Sequence, residues 1–142
     1  YRAESTGFGF FGLSVSSDGS RVAFQLNVAG GMRAVMVMPA DGGTPREIYR
    51  SSQSSLSHVG AMSWMPGGRY LMVTGKCGPG VEERLCALPS EGGDLRSLGQ
   101  SMQGISSSMI SADGRRVAFT GTTGRQELWV IRNLLPEPYK AR

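Results

Sequence analysis

One phrase recurs three times along this chain. It reads Ser17-Asp18-Gly19-Ser20-Arg21-Val22-Ala23-Phe24, returns as Pro66-Gly67-Gly68-Arg69-Tyr70-Leu71-Met72-Val73, and returns again as Ala112-Asp113-Gly114-Arg115-Arg116-Val117-Ala118-Phe119. Counted between Gly19, Gly68 and Gly114, the spacing is 49 residues and then 46. A period of that size marks a repeat architecture, in which a small supersecondary unit stacks on copies of itself. Such a frame constrains the fold tightly and the activity hardly at all, because function in repeat proteins sits in variable loops.

Each copy has the same internal grammar. A short apolar stretch (Leu13–Val15, Met62–Met65, Ser108–Ile110) leads into an Asp-Gly or Gly-Gly turn, the chemistry of a tight hairpin. A β-rich run follows (Arg21–Leu26, Tyr70–Thr74, Arg116–Thr120), then a polar loop and a third run (Ala34–Met38, Leu85–Leu88, Leu128–Ile131). In the first two copies Asp41-Gly42-Gly43 and Glu91-Gly92-Gly93 open a fourth, weaker run, Pro45–Tyr49 and Leu95–Leu98. The second and third runs are apolar at successive positions, as in a sheet covered on both faces. No stretch of a dozen residues keeps a helical period without Gly or Pro. The pattern predicts an all-β chain: a β-propeller segment of three four-stranded antiparallel blades, the last incomplete, at about 12–50, 60–99 and 105–136.

The phrase Ser-x-Asp-Gly-x-x-Val-Ala-Phe, followed by Glu127-Leu128-Trp129-Val130, resembles the WD-repeat-like β-propeller repeat of TolB-type proteins. The likeness covers roughly residues 12 to 135, and the middle copy, with Pro66-Gly67-Gly68, departs most. It implies a propeller fold and leaves several classes open: a periplasmic interaction protein, a sensor module of a larger signalling protein, the gating propeller of a serine peptidase, or a polysaccharide lyase. It implies a periplasmic or otherwise extracytoplasmic location, with the cytoplasm as the alternative.

Closed propellers usually need about four to eight blades, and three alone leave sheet faces and an edge uncovered. Two expectations follow. Either the chain is the remainder of a longer propeller, as its start at Tyr1 suggests, or two copies pair as a homo-oligomer and close a six-bladed ring. The segment Tyr1–Phe11 has no assigned place in the repeat.

Net charge is +4, supplied almost wholly by arginines scattered along the chain and recurring at turns (Arg21, Arg69, Arg115, Arg116). Without aromatic interleaving they read as strand-edge and solvated-face residues, and no nucleic-acid partner is implied. No apolar run approaches the roughly 20 residues of a membrane-spanning helix. Cys77 and Cys86 flank one loop. They read either as a bridge in an exported protein or as packing residues, since Cys86 aligns with Met36 and Trp129. Neither they nor the acidic turn residues make a metal site.

Catalytic signals are weak. Gly7-Phe8-Gly9-Phe10-Phe11-Gly12 fits a phosphate-loop spacing but leads into a strand, not a helix. His58 is the only histidine, and no Gly-x-Ser-x-Gly elbow accompanies it. No cofactor is implied. One pattern remains. Loops joining second to third strands share an end with the inter-blade connections, and that end gathers Asn27, Gln53, His58, Lys76, Gln100, Gln103 and Arg125. The opposite end gathers Asp18, Asp41, Glu91 and Asp113. The ligand-binding candidates are therefore His58, Lys76, Gln103 and Arg125, facing an acidic ligand or a protein partner. The expected function is a binding or scaffolding module with no activity of its own.

Overall fold

The repeated phrase folds as a tight turn between an inner strand and the strand after it. In the first copy the Ser16 amide donates to the Arg21 carbonyl at 2.9 Å and the Gly19 amide to the Ser16 carbonyl at 2.8 Å. The third copy repeats both bonds, from Ser111 to Arg116 and from Gly114 to Ser111, at the same lengths. Gly19, Gly68 and Gly114 all sit at positive φ (73°, 65° and 69°), where a side chain would strain the backbone. The spacing read from the sequence is thus the spacing of one turn.

This computed structural model describes residues 10–52, 62–77, 83–101, 104–105, 107–122 and 124–135. Eleven strands run through them: β1 (Phe10–Val15), β2 (Arg21–Val28), β3 (Met32–Pro39), β4 (Arg46–Ser52), β5 (Met62–Trp64), β6 (Tyr70–Gly75), β7 (Arg84–Pro89), β8 (Arg96–Ser101), β9 (Ser108–Ile110), β10 (Arg116–Thr122) and β11 (Gln126–Arg132). They form three antiparallel meanders, ordered β1-β2-β3-β4, β5-β6-β7-β8 and β9-β10-β11. No helix occurs among the described residues. An all-β propeller segment of three antiparallel sheets, with four, four and three strands among the described residues, is what these sheets show.

Each sheet meets the next most closely along its first strand, β1 against β5 and β5 against β9. Serine makes that approach possible. The Trp64 indole donates to the Ser14 carbonyl at 3.1 Å, the Trp64 amide to Ser14 Oγ at 3.4 Å, and Ser63 Oγ to the Ser108 carbonyl at 3.1 Å. Further out the gap is filled by larger side chains, so the sheets fan apart as blades do.

The middle sheet is covered on both faces. Leu71, Val73, Cys86 and Leu88 pack with Ala23, Val35, Val37 and Ile48 of the first sheet. Met72, Leu85 and Ala87 pack with Val117, Phe119 and Leu135 on the third-sheet side. The strand period of two explains the division, since neighbouring residues take opposite faces. It also corrects one expectation. The apolar second runs imply cover on both faces of every sheet; Phe24, Leu71, Val73, Val117 and Phe119 are buried, but Val22 is only half-buried. Val22 lies on the face of β2 turned away from the middle sheet, while Ala23 is the residue turned toward it.

Phe10 and Phe11, left without a place by the sequence, open β1. Phe10 stands edge-on to Phe24 with ring centroids 5.5 Å apart. Gly12, at φ 59°, sits in the irregularity between Phe11 and Ser14 where β1 shifts register against β2. The glycine-rich segment therefore bends a strand at its described end. Cys77 and Cys86 are joined as a disulfide with Cα atoms 6.2 Å apart, and both are buried in the core between the first two sheets. The pair both bridges and packs.

Candidate functional site

The two ends of the sheets differ in how their charges are used. At the turn end two of the acidic residues, Asp18 and Asp113, are bonded within their own turns. Asp18 Oδ1 accepts from Ser16 Oγ at 2.6 Å, from the Ser20 amide at 3.0 Å and from Ser20 Oγ at 2.8 Å. These bonds hold its carboxyl at a pKa of about 2, with Ser16 the largest contributor. Asp113 repeats the arrangement with Ser111 Oγ and the Arg115 amide, and its pKa is lowered by the same causes. The middle copy has no such carboxylate. Met65 stands where Ser16 and Ser111 stand and is fully buried against the third sheet.

Glu91 is consumed differently. Arg46 of β4 donates to its carboxylate at 2.7 Å and to its carbonyl at 2.8 Å, while Arg21 of β2 approaches the carboxylate at 3.7 Å. Arg21 also donates to the Gly68 carbonyl at 2.6 Å and lies over the Trp64 ring, 4.6 Å from its centroid. The sequence had assigned the turn arginines to solvated faces. Arg21 instead clamps the first sheet to the turn of the second, through a charge-assisted hydrogen bond and a cation–π contact. The return of an arginine at the same place in the third copy, Arg116, is the signal by which the sequence marks this role.

The loop end is open. Lys76 follows β6 and is exposed, and Arg125 is exposed in the turn between β10 and β11. Both turns join a second strand to a third, so the two cations share one end of neighbouring sheets. His58 and Gln103, with Gln53, lie outside the described residues. Asn27 does not belong to the open rim, because it is half-buried with its side-chain oxygen shielded from solvent. Its partner across the ladder, Arg33, was missed by sequence reasoning. Arg33 is buried, with Phe11 beneath it at 5.8 Å, and desolvation lowers the pKa of its guanidinium. No periodic signal exposes such a residue, because an arginine inside an apolar strand reads as a strand edge.

Between the first strands lies a cleft of about 250 Å³ lined by Ser14, Val15, Ser63, Trp64 and Met109, among others. Its serines are engaged in blade-to-blade hydrogen bonds, Ser14 as acceptor and Ser63 as donor. Among the described residues no cluster of His, Cys, Asp and Glu could hold a metal ion.

No protein-family model matches the chain, and no curated protein matches it. Solved structures do. TolB from Acinetobacter baumannii superposes with a TM-score of 0.65 at 16% identity, over 86% of this chain and 29% of that one. A protein assigned as TolB from Agrobacterium tumefaciens gives 0.62 at 23% identity, over 83% of this chain and 40% of that one. The apo form of the isopeptidase AtxE2 gives 0.52 at 17% identity, over 80% of this chain and 20% of that one. The chain thus spans well under half the length of the structures it resembles. Likeness at these identities establishes a fold, and the turns, meanders and inter-sheet packing above are that fold in this sequence.

Proposed function

From a chain with a TolB-like β-propeller fold, we propose a binding or scaffolding module that presents its loop end to an acidic protein surface or acidic ligand. One contrast supports the reading. Asp18, Asp113 and Glu91 at the turn end are bonded to neighbouring residues, whereas Lys76 and Arg125 stand exposed together at the other end. Exposed cations on a rigid frame steer and hold negative partners. His58 and Gln103 join the proposed surface by their place in the sequence. The buried Cys77–Cys86 disulfide supports an oxidising, extracytoplasmic compartment, where such bonds persist.

Binding of a polyglutamate peptide and of polygalacturonate tests the reading. Lys76→Ala and Arg125→Ala should each weaken binding several-fold, with the loss shrinking as salt rises, because exposed charges are screened over about 8–10 Å at physiological ionic strength. Equal binding by wild type and both variants would remove the rim from the account. A second reading, a non-catalytic propeller domain of a peptidase, draws on the likeness to the isopeptidase. Hydrolysis of a peptide ester that is lost with His58→Ala would replace both readings with an enzyme.

A further inference from the structure

Lys76 is held from both sides. Gly75, before it, makes the last pair of the β6–β7 ladder, with Arg84, and is buried. Cys77, after it, is buried as well and is bonded to Cys86. Lys76 is the exposed residue between these two anchors.

The bond does not lie where a straight hairpin would put it. In the ladder Cys86 stands opposite Val73, four residues before Cys77. Four more residues of extended strand would carry Cys77 about 13 Å along the sheet from that point. The Cα atoms of Cys77 and Cys86 are 6.2 Å apart. After Gly75 the chain therefore turns back over the sheet, and Lys76 lies within that reversal. Cys77 ends it inside the core cluster that includes Val73 of its own sheet and Ala23 and Val35 of the first. Among the described residues no backbone hydrogen bond to Lys76 or Cys77 supplements the disulfide.

We infer that the Cys77–Cys86 bond is a redox-controlled anchor that orders Lys76, so that the loop end holds an acidic partner more tightly in the oxidised chain than in the reduced one. The inference rests on the binding reading above and adds a control to it. A cation on slack chain must be ordered at the moment of binding, whereas one tethered on both sides has lost that freedom beforehand. The reductant is a dithiol. One of its thiolates attacks one sulfur of the bond, and the other sulfur leaves and takes up a proton. The second thiol of the reductant then displaces the protein from the mixed disulfide and closes the reductant's own disulfide. The protein gains two electrons and two protons. Cys77 and Cys86 are 4% and 0% exposed, so the attack waits until the loop or the sheets open, and the oxidised state is kept once made. The tight-binding form is thus set where the bond forms, in an oxidising compartment.

Titration of a polyglutamate peptide into the oxidised chain and into the chain reduced with dithiothreitol tests the inference, with circular dichroism to follow the strand signal. The reduced chain should bind about fivefold more weakly or worse, the equivalent of ordering one backbone residue on binding. Reoxidation should restore the affinity. Cys77→Ala with Cys86→Ala should bind like the reduced chain under either treatment. Cys77→Val with Cys86→Ala, which refills the core without the bond, should do the same and serves where reduction costs the strand signal. In Lys76→Ala the difference between oxidised and reduced chains should vanish, whereas in Arg125→Ala it should persist, a split that general loosening of the fold would not produce. NMR order parameters of the Lys76 and Cys77 amides should fall on reduction. Equal affinity of the oxidised and reduced chains, a redox effect that survives Lys76→Ala, or unchanged order parameters would overturn the inference. A chain that binds no polyglutamate in either state would remove the binding reading instead, and the order parameters would then decide whether the bond anchors Lys76.

Discussion

Arg46 and Glu91, 45 residues apart in sequence, meet at 2.7 Å across the first two sheets, and the same arginine also caps the Glu91 carbonyl at 2.8 Å. The contact ties the outer strand of one sheet to the last turn of the next. Both side chains remain well exposed, 49% and 77%.

Exposure limits what the pair contributes. A double-mutant cycle with Arg46→Ala and Glu91→Ala should give a coupling of about 0.2–1 kcal/mol, as for other solvated ion pairs. Arg21→Ala should cost more, about 1–3 kcal/mol, because it strips a charge-assisted bond from the Gly68 carbonyl and uncovers the Trp64 ring. Urea unfolding of the three variants checks the order. Arg21→Ala as mild as Arg46→Ala would show that the clamp on Gly68 carries nothing.

Phe119→Ala should destabilise by about 3–5 kcal/mol, since the ring is buried between the second and third sheets. Val22→Ala, in the second strand of the first copy, should cost well under half of that, because Val22 is smaller and only half-buried. Equal losses would mean that the two copies do not differ in burial as described.

Breaking the Cys77–Cys86 link by Cys77→Ala with Cys86→Ala should cost about 2–3 kcal/mol, the loop-closure value for a bridge that spans nine residues. Chemical denaturation with and without a reductant provides the comparison. A wild type indifferent to reductant would show that the two cysteines serve only as packing.

Acid should release the Asp18 turn late. Its folded pKa, about 2, lies below the ordinary 3.8, so the folded state binds fewer protons than the unfolded chain between those values. The contribution of Asp18 is therefore complete above about pH 4 and is lost as pH falls toward 2. Carboxyl NMR titration should place its midpoint near 2, and Ser16→Ala, which removes the largest cause, should raise it. A midpoint near 4 in wild type would contradict the three hydrogen bonds.

The frame was legible because it rests on local chemistry. Gly19, Gly68 and Gly114 are where the backbone requires positive φ, and the runs between them are apolar because they form sheets. What the sequence left dark depends on contacts between sheets. Nothing local distinguishes Val22 from Val117, yet one faces solvent and the other a core. Nothing local says that Arg21 will lie over Trp64, 43 residues away, or that Cys77 will face Cys86. Of the candidate ligand residues, Lys76 and Arg125 could be read from their loops because exposure follows from turn position, whereas a shared surface is a matter of tertiary placement.

The two-sided cover of the middle sheet has a kinetic consequence. Amides of β6 and β7 can exchange with solvent only when both neighbouring sheets have come away or the whole chain opens, while those of β11 need no sheet to leave. Deuterium uptake should run inward from the third sheet's outer strand and reach β6 last. The slowest amides of this protein, around Leu71–Val73 and Leu85–Ala87, would then report the free energy of the array and not that of any one blade.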